Sequence, residues 1–390
     1  MEVTQAFTLV NQALAESVGE SALISSDYAN IVDSGNAIFD NNSFDKFTGK
    51  LVDKVGKVVF VDRKYTGTLG DILRRDGWEY GAVLQKVSSK MPAATANESY
   101  DNLTDGASYD PNVFYKPDIT VKFFNKYITF EIDRSITERQ VKSAFTGPAE
   151  LNAFVSMLFN EIDKALTVAI ENLSRRTLGN AVAETLYTEY NSGTTFTGAS
   201  HNRAVNLLYL YNQGPNAGNT PITAAAAITD PEFIRFASYI IGLYSDRLTE
   251  ISTLFNGGAQ ERFTPHDRQT IILLSEFKRA ADAFLQSGVY HDEYTRLPES
   301  RSVAYWQGSG LTYAFADTSK IICKTSEGND VTATGIIGIM FDRDAAGINS
   351  MEKWVRTNIN PKADFVNYFY KEKMQFFNDF NENFVVFFVA

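Results

Sequence analysis

The sequence predicts an α+β protein, and three observations carry that prediction. Residues 148–178 hold one long amphipathic helix, 230–345 alternate helix and strand, and 333–390 read as three strands in succession. In that last stretch, 333–341 (ATGIIGIMF) run into Asp342-Arg343-Asp344, 364–377 alternate bulky and polar residues, and 384–390 are apolar throughout. A strand as apolar as 384–390 must be buried in its own sheet or paired with a neighbour.

Each element follows from local signals. Phe7, Val10, Leu14 and Val18 predict a short helix ended by Gly19. Residues 19–50 are rich in Ser, Asp, Asn and Gly and predict an extended arm that lies on something else. Residues 51–61 (LVDKVGKVVFV) predict a strand. Strands at 80–87 and 119–130 then flank a polar stretch, 91–117, with turn signals at Asp105-Gly106, Asp110-Pro111 and Lys116-Pro117. Together they form a long hairpin-like excursion, and a loop of that length in a compact domain is functional or interfacial.

Thr146-Gly147-Pro148 opens the long helix. Its apolar positions Leu151, Val155, Leu158, Ile162, Leu166, Ala169 and Leu173 recur every three or four residues, and Gly179 predicts its stop. Residues 188–227 read as a connection or insertion, interrupted by a short apolar helix over 204–211. Asp230-Pro231-Glu232 combines cap, first-turn proline and first-turn acid. The helix it opens is predicted to run to Phe255 and end at Asn256-Gly257-Gly258. A short buried strand at 270–274, a helix from Ser275 to Gln286, and strands at 301–306 and 319–324 complete an α/β subdomain.

Composition narrows the function. A chain of 390 residues allows two or more domains, and 13 % aromatics, with 29 Phe and 19 Tyr, supply a packed core. The 36 Lys+Arg against 47 Asp+Glu leave a net charge of −11, without the broad electrostatic grip of a nucleic-acid binder. Such a surface can enclose nucleic acid without holding it. Cys323 is the only cysteine, so there is no intramolecular disulfide and no cysteine-based zinc site, which fits a reducing cytoplasm. The N-terminus is not a signal peptide, and no apolar run approaches the ~20 residues of a membrane helix.

Chemistry is sparse. His266, Asp267 and Ser275 are a Ser/His/Asp grouping without the Gly-x-Ser-x-Gly elbow, so Ser275 reads as a helix cap. His291-Asp292-Glu293 lacks metal-ligand spacing, and Asp342-Arg343-Asp344 reads as a turn with an intramolecular Arg–Asp pair. Asp40–Asp45 lacks the glycine and closing glutamate of a calcium loop. No phosphate-binding or dinucleotide glycine motif occurs. Catalytic residues, cofactors and metals are therefore expected to be absent. Arg74-Arg75, Arg175-Arg176 and Lys371 with Lys373 are solvated faces, or bridges to acidic patches of identical neighbours. Trp78, in the polar excursion, is the preferred interface anchor. Arg74, Arg75, Glu79 and Tyr109 join it as candidate subunit-interface residues.

The order of parts (arm, two-stranded loop, beam helix, α/β subdomain, long strands, final apolar strand) resembles the major capsid protein of tailed bacteriophages. That fold is shared with herpesvirus capsid floors and encapsulins. Residues 230–236 (DPEFIRF), 252–256 (STLFN), 305–310 (YWQGSG) and 339–345 (IMFDRDA) are similar to capsid sequences of such phages. The resemblance implies an N-terminal arm at 1–50, an extended loop at 62–133 and an axial domain at 228–345. It implies a discontinuous peripheral domain of 51–61, 134–187 and 346–390, with a spine helix at 148–178. The implied role is structural and not enzymatic: self-assembly as hexamers and pentamers, through a procapsid, into an icosahedral shell around double-stranded DNA. Implied partners are many copies of the chain itself, a portal, optional cement proteins, and DNA held without sequence-specific contact; no membrane is involved. Assembly would take place in the bacterial cytoplasm. The chain opens at the arm, without the long helical leader of many members, so a separate scaffolding protein and no N-terminal processing are expected. The alternatives are an encapsulin-type shell and, more remotely, a cytoplasmic α/β hydrolase built on His266, Asp267 and Ser275.

Overall fold

The computed structural model describes residues 3–40, 43–61, 69–74, 84–286, 297–307 and 314–390. The chain divides into two units, each assembled from separated segments. The first is Met1–Ala82, Lys126–Arg176 and Gly347–Phe376; the second is Val83–Asn125, Thr177–Ala346 and Phe377–Ala390.

The first unit packs helices on a three-stranded sheet of order Ala346–Asn360, Phe365–Asn378, Tyr127–Thr137. Tyr127–Thr137 runs antiparallel to Phe365–Asn378, with Val366 opposite Ile136 and Tyr370 opposite Ile132. Side chains alternate across a strand, so Val366, Tyr368 and Tyr370 share one face. They pack into a common core with Val10 and Leu14, with Leu51 and Val55, and with Val155, Leu158 and Ile162 of the long helix. Burial raises the phenol pKa of both Tyr368 and Tyr370.

Two expectations fail here for one physical reason. Residues 19–50 are not an extended arm: they contain helices Ile31–Asp40 and the start of Phe44–Val61, and Ile24, Ile31, Ile38 and Phe47 are buried. Residues 51–61 are helix rather than strand. Their β-branched run favours a strand locally, but Phe47, Leu51, Val52 and Val55 recur at helical spacing and are fully buried. The helix lies on Val3–Ser17, where Glu16 takes Lys50 at 3.1 Å and Lys54 at 2.6 Å. Tertiary packing overrides propensity.

The second unit is built on a five-stranded mixed sheet of order Ala204–Asn206, Phe384–Phe388, Ile336–Asp342, Gln269–Leu274, Arg301–Val303. The outer pairs are parallel and the inner two antiparallel. Every residue of Ile336–Asp342 and of Phe384–Phe388 is buried, as expected where both sheet faces are covered. Helices Pro231–Arg247 and Ser275–Gln286 cover one face with Phe233, Ile241 and Phe277 over Leu273, Met340 and Phe387. On the other face Phe388 meets the Tyr190 ring edge-on at 5.9 Å. The apolar strand 384–388 is thus buried in its own sheet.

Several boundaries differ from expectation. The long helix runs Pro148–Tyr190, through Gly179. A Cβ at 179 would sit 2.7 Å from Cys323 Sγ and 3.3 Å from Gln307 Nε2, so this glycine permits close approach rather than ending the helix. Residues 204–206 are an edge strand, and the short helix begins at Leu207, capped by Asn206. Asp230 caps its helix as predicted, accepting from Phe233 N at 2.8 Å, but that helix ends at Arg247. Beyond it the chain folds back through a Ser252–Arg262 bridge, which buries Phe255 and leaves Ile251 outside. Residues 377–390, expected to share a domain with 346–376, cluster with the second unit.

Candidate assembly surface

The excursion begins as a two-stranded antiparallel stem. Leu84–Ser89 pairs with Ile119–Phe124, in register from Leu84 opposite Phe124 to Ser89 opposite Ile119. The expected strand at 119–130 is therefore split at Asn125-Lys126, and its second part belongs to the first unit's sheet. Between the stem strands, residues 90–118 carry a single helical turn, Glu98–Asp101. The stem is amphipathic in an inverted sense. Its outer face carries Val87, Ile119, Val121 and Phe123, all exposed. The tip adds Tyr100, Leu103, Phe114 and Tyr115, the last two 83 % and 84 % accessible. On the stem, Val87 lies opposite Val121, which sits between Ile119 and Phe123 on the same face, and an exposed apolar face of this kind is a candidate interaction surface.

The inner face is ionic. Lys86 and Lys122 face each other across the stem. Both reach the buried carboxylate of Asp379, at 3.1 Å and 3.2 Å. Lys86 also donates to Asp344 O at 2.5 Å and lies 4.0 Å from Glu382. Phe124 and Phe377 close the contact with ring centroids 5.3 Å apart. Burial alone would raise the Asp379 carboxyl, but Lys86, the Asn381 amide and Lys122 together hold it below the ordinary carboxylate range. Glu382 is shifted the other way: burial, with the Asp342 and Asp379 carboxylates adding to it, outweighs the pull of Arg262 and Lys86.

The residues singled out in the sequence fall as follows. Tyr109 lies in the tip, where its hydroxyl accepts from Thr104 N at 3.2 Å. Arg74 is exposed and bridges in parallel to Ile348 within the first unit. Trp78, Arg75 and Glu79 lie outside the described residues, as do His291-Asp292-Glu293. Arg175 and Lys371 have partners in their own chain, Glu171 and Glu131, and Lys373 lies over the Tyr127 ring. His266 does not organise a triad with Ser275. Its Nδ1 is 3.3 Å from Ser245 Oγ, whose hydroxyl donates to Gln269 Oε1 at 2.6 Å, and Ser275 starts a helix as expected. The Arg–Asp pair of the 342–344 turn is made by Arg268, which binds both Asp342 and Asp344. Among the described residues no helix is long and apolar enough to cross a membrane.

Sequence reasoning found the excursion but missed its Asp379 clamp and its tip residues Phe114 and Tyr115. The alternation of Val121 and Phe123 with Lys122 was visible, yet nothing in it says which face points inward.

A family model described as Phi29-like phage major capsid protein matches residues 10–388. No curated protein matches the chain. Among solved structures, one described as head fiber and inner core protein gp22 of native bacteriophage P68 is similar over 82% of this chain and 84% of that chain, at 10% identity and a TM-score of 0.51. At that identity the likeness concerns the fold. The capsid structure of Staphylococcus phage Andhra aligns over 82% of this chain and 83% of that chain, at 10% identity and a TM-score of 0.47.

Proposed function

Because the chain belongs to the Phi29-like phage major capsid protein family and its role is therefore structural, we propose that its exposed hairpin is the element that joins subunits into the shell. The observation that carries this reading is the inverted stem, whose apolar face points outward while its inner face is held by charge. A surface of that kind is completed by another copy. Closed symmetric assembly multiplies such contacts, so each one can be weak while the shell is stable.

In this reading the chain forms hexamers and pentamers, residues 62–133 act as the extended loop, and Trp78, Arg74, Arg75, Glu79 and Tyr109 lie at subunit contacts. Residues 228–345 serve as the axial domain, and the long helix is the spine of the peripheral one. A separate scaffolding protein and a portal assist assembly in the host cytoplasm, and the acidic chain encloses double-stranded DNA without gripping it. The protein carries out no catalysis. The family match favours this reading over an encapsulin-type compartment.

The test is electron microscopy of the purified chain, alone and co-expressed with a scaffolding protein. Closed shells or capsomer rings are expected. A monodisperse monomer under every condition would sink the assembly reading.

A further inference from the structure

The hairpin stem has a register problem that its own sequence does not solve. Lys86 and Lys122 are direct cross-strand neighbours, and like charges directly opposite each other destabilise a strand pair. The connection between the strands, residues 90–118, is too long to dictate register as a tight turn would. What lies between the two ammonium groups is one carboxylate, with one oxygen on each lysine. That carboxylate is itself fixed. Asp379 N donates to Ala345 O at 2.7 Å, the Asn381 amide donates to Asp379 Oδ1 at 3.1 Å, and the side chain is almost wholly buried.

We propose that Asp379 is a latch: its carboxylate holds the hairpin stem against the turn at 379–383, and neutralising it releases the stem while the central sheet stays folded. Asp379 acts as a positioning residue, setting where the apolar face points before any second subunit arrives. The inference concerns the isolated subunit and does not depend on the shell.

The charges around the latch set how it responds to acid. Lys86 and Lys122 face Asp379 from the stem. Glu382 lies between Lys86 and Arg262, and Asp342 and Asp344 share Arg268 on the neighbouring turn. Glu382 has its pKa raised, so it takes up a proton first as pH falls, and Asp379 remains the anion that separates the lysines. Asp379 has its pKa lowered, so its contribution is full above the ordinary carboxylate range and is lost as pH falls through its lower folded value. Once it is protonated, the opposed lysines have lost the counter-charge between them.

The experiment is hydrogen–deuterium exchange on the full, unassembled chain, comparing amides of 84–89 and 119–124 with those of 269–274 and 336–342. In Asp379→Asn the stem amides should exchange faster by about tenfold or more, as loss of a charge-assisted pair implies, with the central sheet unchanged. After correction for intrinsic exchange, wild-type stem protection should fall on acidification, and that of Asp379→Asn should not. Asp379→Glu should restore part of the protection. Wild-type protection of the stem in Asp379→Asn, or an acid response that persists there, overturns the latch. Should Asp379→Asn lose its central sheet, Lys122→Gln decides. It removes one of the two cations that hold the Asp379 carboxyl in its ionised form, so its stem should let go at a higher pH than the wild-type stem while the central sheet stays protected, and release at the same pH as wild type refutes the proposal. A latch that fails leaves the capsid reading intact, and a chain that makes no shells leaves the latch testable.

Discussion

The hairpin stem and the central sheet of the same unit are both short strands rich in Val, Ile and Phe, yet they treat those side chains in opposite ways. Ile336–Asp342 and Phe384–Phe388 are buried at every position. In the stem, Val87, Ile119, Val121 and Phe123 are exposed, and the covered side is lined by Lys86, Lys122 and Asp379. The central sheet is completed by its own chain, whereas the apolar face of the stem is exposed in the single chain. An apolar alternating pattern therefore specifies a pleated strand but not the molecule that will cover it.

The comparison is broken most directly by placing a carboxylate in each kind of site. Met340→Asp is expected to abolish folding, at a cost of more than about 4 kcal/mol for an unpaired buried charge, and Leu158→Asp should do the same in the first unit. Circular dichroism and urea titration of any soluble product provide the check; a cooperative transition near the wild-type midpoint would contradict the buried assignment. Phe114→Asp with Tyr115→Asp should leave stability within about 0.5 kcal/mol, because both side chains are exposed. Assembly should nevertheless be lost in sedimentation velocity at concentrations where the wild-type chain closes into shells.

A smaller effect sharpens the packing side. At a solvent-facing helical position Gly→Ala stabilises by about 1 kcal/mol. Gly179 packs against Cys323, so Gly179→Ala should instead destabilise by about 1–3 kcal/mol, with partial recovery in Gly179→Ala/Cys323→Ala. Urea midpoints of the two variants measure this directly.

The smallest effect is alkaline. Burial, with Glu189 adding to it, pushes the Tyr190 phenol up to about 12. A folded pKa above the unfolded value means stability that is complete below about 10 and lost as pH rises toward the folded value. Ultraviolet titration of the native chain should therefore show tyrosine that ionises late, and denaturant midpoints should fall over the same window.

Parts of this structure were legible because their signals are local. Pro148 after Thr146-Gly147, the Asp230-Pro231-Glu232 cap and Ser275 at the start of its helix each act within one turn, and each helix starts where they predict. The end of the long helix was not legible, because whether Gly179 stops a helix or admits Cys323 depends on a residue far along the chain. Residues 51–61 were misread for a related reason: the helical period runs from Phe47 to Val55, across the boundary drawn at 50. At the candidate site, turn signals and length exposed the excursion. Its clamp was invisible, because Lys86 and Asp379 are 293 positions apart and only folding reveals that they meet. Trp78, the preferred anchor from sequence, lies outside the described residues.

The strand order of the second unit also dictates a timetable. Ala204–Asn206 lies beside Phe384–Phe388, so the sheet closes only when segments some 180 positions apart have found each other; such non-local pairing is slow. The stem's apolar residues are synthesised long before Asp379, which lies 293 positions beyond Lys86, so they are exposed early and without the carboxylate that binds their lysines. Young chains thus have a window in which they can adhere to one another before their sheets are complete. Yield of intact subunits should consequently fall with expression rate, and slower synthesis or lower temperature should favour sound shells over aggregates.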